Sequence, residues 1–201
     1  MSEGKSLRKT ITIVAALLAA FMALAALAGC GGDEKKAREY IEEARDKGRI
    51  VAQKQDKLQK QGEVLNSFAG SVKTLTPEAV SVIQKLLADL FTMVEATNKA
   101  AQDTRVEYKK ILDLNGLDKY KRYARNRLKT LGLVDRRAKL AGDFAVIYSG
   151  VLEAFLAGQA IDEAAIINSL TPITEERDRL TKEIEKLNKE AIDLADELEF
   201  Q

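Results

Sequence analysis

After residue 33, apolar residues recur every three or four positions along almost the whole chain, the spacing that gives a helix one oily face. Ala, Leu, Glu and Lys dominate the composition of this stretch, and all four favour helix. Three breaks interrupt the pattern. In Gly70–Thr76 the apolar repeat stops, Thr76 can cap a new helix and Pro77 suits its first turn. Asn115-Gly116 is a helix stop, and Gly158-Gln159 marks a third boundary. The pattern predicts four helices over 33–69, 77–114, 117–157 and 160–199, each roughly 55–62 Å long at the helical rise.

Near-equal lengths and short connections predict an all-α fold, an elongated antiparallel four-helix bundle of coiled-coil character running up-down-up-down. In the fourth segment Ile173, Leu180, Ile184, Leu187, Ala191, Leu194 and Leu198 hold a four-three spacing, with Arg177 occupying one seam position. The first segment carries a weaker seam: Ile41, Ala44, Val51, Leu58, Leu65 and Ala69 alternate with Gly48, Gln55 and Gly62. Such a seam implies either close backbone approach or a helix only partly packed. The middle segments are richer, with Val80, Ile83, Leu87, Leu90, Phe91 and Val94 on one face and Phe144, Ile147, Tyr148, Val151, Leu152 and Phe155 on another. The best core is therefore expected between the second and third helices, at the end away from the N-terminus. Pro172 should kink the fourth helix or split it after a short piece near 161–170, and Gly132 should bend the third.

The first thirty residues follow a different rule. Lys5, Arg8 and Lys9 precede an apolar run from Ile11 to Ala28, broken only by Thr12, and small residues follow. The run ends in Leu27-Ala28-Gly29-Cys30, which holds the only cysteine of the chain. These four residues resemble the lipobox of bacterial lipoproteins, where signal peptidase cuts before a cysteine that carries lipid. The resemblance implies a signal peptide over 1–29, a lipidated Cys30 with a short tether over 30–32, and a helical bundle domain over 33–201. It also implies a diacylglycerol on the Cys30 sulfur, with palmitate the chain to label, and a location outside the cytoplasm on the cell membrane or outer membrane. Gly31, which follows the cysteine, leaves outer-membrane sorting open. The alternative is an uncleaved anchor, since the run is close to the ~20 residues that span a bilayer. The basic flank again holds the N-terminus inside.

Composition narrows the chemistry. Cleavage before Cys30 removes Lys5, Arg8, Lys9 and Glu3, leaving 29 basic and 30 acidic residues in a chain of 172. That balance and the compartment argue against nucleic acid as a partner. With no histidine, a histidine base, a Ser-His-Asp triad and histidine-ligated metals are excluded. Beyond the signal there is no Gly-rich phosphate loop, Ser-x-x-Lys pattern or nucleophile elbow. No cofactor and no metal site is expected, and the chain does not read as an enzyme. Adjacent carboxylates such as Glu42-Glu43 point to different sides of a helix and read as solvated surface.

Charge is unevenly placed. Lys119, Lys121, Arg122, Arg125, Arg127, Lys129, Arg136, Arg137 and Lys139 oppose only Asp118 and Asp135, giving 117–140 a net +7. Glu190, Asp193, Asp196, Glu197 and Glu199 make 190–199 −5. Each cluster sits at the wrong end of its own helix dipole. In an up-down-up-down bundle the two become antiparallel neighbours at the membrane end, so mutual pairing is the first expectation. A free patch that binds an anion or an acidic partner is the second. Tyr108, Tyr120, Tyr123 and Tyr148 read as core residues with their hydroxyls at the rim. Together these features suggest a membrane-anchored structural or interaction protein, meeting another envelope protein or itself. The alternative is a binding protein for a small apolar or anionic ligand, in a cavity around Phe91, Tyr108, Tyr148 and Phe155.

Overall fold

A computed structural model describes the backbone of residues 3–71 and 76–199, and the side chains of 32–68 and 76–199. Four helices follow in order: α1 (Glu3–Ser71), α2 (Pro77–Leu112), α3 (Asp118–Leu156) and α4 (Glu163–Asp196). No strand occurs among the described residues. The lipobox and Cys30 lie where no side chain is described.

The predicted boundaries form for the expected reasons. The Thr76 hydroxyl accepts from the Ala79 amide at 3.3 Å, with Pro77 opening α2, Glu78 in its first turn and Lys109 and Lys110 in its last. α2 ends at Leu112, two residues earlier than predicted, with Asp113 as its C-cap, and Gly116 at φ 64° then turns the chain toward α3. Leu117 follows at φ 60°, a conformation an L side chain adopts at a cost of roughly 1–2 kcal/mol. Its side chain packs against the core below, which offsets that strain. Gly158 at φ 70° ends α3 as the Gln159 amide reaches back to the Ala154 carbonyl at 3.0 Å. The fourth helix begins later than 160 because Asp162 caps it, accepting from the Ala165 amide at 3.0 Å.

Of the two outcomes expected at Pro172, the split does not occur: α4 continues through it without a break. The ring removes the amide bond to the Asn168 carbonyl, but Asn168 is exposed, so that oxygen is open to water. On either side, Ser169, Thr171 and Thr174 donate their hydroxyls to carbonyls four residues back. The helix survives because nothing packs tightly around the defect.

Consecutive helices are antiparallel, as cross-helix partners with falling and rising numbers show: Lys47 with Glu107, Arg105 with Asp135, Arg122 with Glu197 and Arg136 with Glu176. Two cores result. The larger, at the end bearing the α2–α3 turn, draws on all four helices through Ile41, Ala44, Ile111, Tyr123, Ile184 and Ala191. The smaller, at the far end, contains Leu58, Leu65, Ile83, Leu87, Leu90 and Leu152 but nothing from α4. The expectation of a best core at the far end of α2 and α3 is thus corrected. Phe91 and Phe155 each remain 37% exposed there, and of the predicted α3 face only Leu152 is fully buried. The near end wins because four helices enclose it.

The weak seam of α1 resolves in favour of partial packing. A Cβ added at Gly48 or Gly62 would meet nothing within 4 Å, so neither glycine permits a close approach. Among the described residues, no Cα of α4 comes within 8 Å of α1. The two helices share the near core through side chains and part above it. We call the end bearing the α2–α3 turn proximal, because Cys30 lies just before it on α1, and the other end distal.

Candidate functional site

The basic residues of α3 form a ladder against α4. Arg122 grips both carboxylate oxygens of Glu197 at 2.6 Å. Lower rungs are Lys129 to Glu183 at 3.2 Å and Arg136 to Glu176 at 2.7 Å. Asn126 donates to Glu190 at 3.3 Å and Arg127 to Asn188 at 2.8 Å. Pairing between the two helices therefore occurs, but its acid partners extend well above 190–199. Arg179 and Arg136 together hold the Glu176 carboxyl below the usual range, the hydrogen bond from Arg179 counting most.

The remaining cations divide. Lys119, Lys121, Arg125 and Lys139 make no ion pair among the described residues and face water to differing degrees. The first three sit at the proximal end, where Tyr120 donates to Glu34 of α1 at 2.9 Å. Asp33, Asp118, Asp193 and Asp196 occupy the same end, so it presents mixed charge and no basic face. Arg137 is set apart from the other eight: it turns into a cleft between α1, α3 and α4, lined also by Leu58, Phe144, Ile173 and Arg177.

Three of the four tyrosines are core residues as read, but the Tyr108 hydroxyl is buried rather than at a rim, and Tyr148 is only half-buried. Tyr108, Tyr120 and Tyr123 are buried in the proximal core, the rings of Tyr108 and Tyr123 meeting edge-on at 6.1 Å. Burial pushes the Tyr108 hydroxyl well above the ordinary phenol range. Tyr148 stands half-buried against Phe144 and offers its hydroxyl to Asn66 at 3.4 Å. The four residues Phe91, Tyr108, Tyr148 and Phe155 do not surround one cavity, because Tyr108 lies in one core, Tyr148 packs against the other, and the two phenylalanines are exposed.

One charged site carries no clear sequence signal. Glu107 is 3% exposed, with Lys47 from α1 at 2.5 Å and Lys110 from its own helix. Burial opposes its ionisation, but the bonds from Lys110 and Lys47 outweigh that and hold the carboxyl at about 2. Only the Glu107/Lys110 spacing hinted at it. Buried Thr97 and Thr104 satisfy their hydroxyls on carbonyls of their own helix at 2.7 and 2.8 Å. No group of metal-ligating side chains is found among the described residues, and no helical stretch within 32–68 or 76–199, where side chains are described, is long and apolar enough to cross a membrane.

No family model, curated protein or solved structure matches this chain.

Proposed function

We propose that this chain is a lipid-anchored, extracytoplasmic lipoprotein of the bacterial envelope that serves a structural or interaction role rather than catalysis. Cys30 carries the lipid, and the bundle stands away from the membrane as an arm. From Cys30 to the end of α1 the helical rise gives it a reach of about 60 Å. One observation carries the interaction reading: apolar residues are left uncovered around the α3–α4 turn, at the end farthest from Cys30. Ile167 is 62% exposed, and Phe155, Leu156 and Ile161 are exposed beside the turn. Large apolar surface left in water is a common mark of a contact surface. The occupant in this reading is another envelope protein.

Two measurements test it. Labelled palmitate should enter the wild-type protein in bacteria and be lost in Cys30→Ser; label retained by that variant overturns the anchor. A photo-crosslinking residue at Ile167 should capture a discrete protein in intact cells, while the same residue at the equally exposed Ile192 should not. Capture of a second copy alone would replace the heterologous partner with self-association. Equal capture at both sites would overturn the distal surface.

A further inference from the structure

Above the proximal core, α1, α3 and α4 part around a half-open cleft of about 560 Å³, inside the ~300–1,000 Å³ usual for small-molecule sites. Leu58, Leu90, Phe144 and Ile173 supply apolar walls, and two cations enter, Arg137 from α3 and Arg177 from α4. Arg137 is half-buried and makes no hydrogen bond or ion pair with any described residue. Burial first, and the like charge of Arg177 second, lower its pKa.

Of the two acids on the lining, one already pairs with Arg177 and the other bonds to a neighbour on α1, so Arg137 alone is left without a counter-charge. Asp178 takes Arg177 at 3.1 Å, and Glu63 accepts from Gln59 at 2.9 Å. A cation drawn partly out of water with no counter-charge is unfavourable, and an anion seated beside it recovers the loss. Along its length the two arginines and the two largest apolar walls are offset, with Glu63 and Asn66 of α1 lining the same distal part as Phe144. Both arginines lie toward the proximal core, Ile173 is one turn above Arg177, and Phe144 is about 10 Å above Arg137.

From this arrangement we propose that the cleft binds a single-chain anionic amphiphile. Its carboxylate sits between Arg137 and Arg177, and its hydrocarbon tail lies along Phe144 and Ile173 toward the distal mouth. Two arginines from different helices suit a carboxylate, which accepts several charge-assisted bonds. The site is independent of the role proposed for the distal surface.

The test uses the full chain in zwitterionic nanodiscs, titrated with carboxyl-labelled decanoate and followed by the carbon resonance of the headgroup. A saturable bound signal should appear at one per chain. Arg137→Gln and Arg177→Gln should each weaken it about tenfold or more, while Arg137→Lys should restore much of the binding. Arg122→Gln, which changes net charge equally but lies on the α3–α4 ladder, should leave it unchanged. Thermal melts of each variant separate lost binding from lost folding. Decanol competing as well as decanoate would overturn the role of the arginines. Inorganic phosphate competing equally would overturn the need for a tail. No saturable signal, or one the Gln variants leave intact, would reduce the effect to partition into the bilayer and sink the proposal.

Discussion

At the proximal end Ile184 and Ala191 of α4 meet Ile41 and Ala44 of α1 in a single core. At the distal end the same two helices flank a cleft, and the core is built by three helices. Chain composition differs little between the two halves of α4; what changes is the size and polarity of the residues aimed at the seam. Proximally these are Leu180, Ile184, Leu187 and Ala191, all buried. Distally Arg177 takes the seam position, and Gln55 and Gly62 line the same cleft from α1. With charged and polar residues lining that side, nothing there repays the desolvation of closing it.

The contrast can be broken most directly by cavity mutations. Ile41→Ala should cost about 3–5 kcal/mol in urea unfolding, since four helices prevent collapse around the void. Leu152→Ala should cost nearer 2 kcal/mol, because the three-helix end can relax. Equal losses would mean that both ends are packed alike. Amide exchange sharpens the same point: residues 163–173 should exchange about tenfold or more faster than 180–191, reflecting local opening of the uncovered half of α4.

A smaller effect comes from the buried carboxylate. Glu107 has its pKa lowered to about 2, so its contribution is fully present above the unfolded value near ~4.3 and is lost as pH falls from there through about 2. Glu107→Gln should cost roughly 1–2 kcal/mol at neutral pH, a modest figure because both lysines reach solvent, and should flatten the stability profile over that acid window. An unchanged profile would show that the carboxylate contributes nothing. Smallest is the exposed Arg122–Glu197 pair: a double-mutant cycle should return about 0.5 kcal/mol. A value several times larger would make the ladder a source of stability rather than of helix order.

Much of this was legible beforehand, and for identifiable reasons. Helix number and turns follow from local chemistry at Thr76, Gly116 and Gly158, which acts whatever the tertiary context. Arg177, Gln55 and Gly62 could be seen interrupting their seams, but not that they would line one cleft. Periodicity fixes the face of each helix, whereas the rotation and separation of two helices depend on how all four pack. The same limit hid Arg137, one of nine similar cations until the fold turned it inward. It also hid Glu107, whose partner Lys47 is sixty positions away. Core quality was misjudged because the richest apolar faces, on α2 and α3, point partly to a side that α4 does not cover.

Gly48 and Gly62 stand two heptads apart on one face of α1, about 21 Å along its axis, with open space before each. Each makes the helix locally easier to unwind by about 1 kcal/mol relative to alanine. Mechanically, α1 is a strut with two soft joints. Gly48 is braced between Ala44 and Val51 of the proximal core, so a sideways load on the distal end is taken up first at Gly62, and that end leans while the proximal end stays rigid.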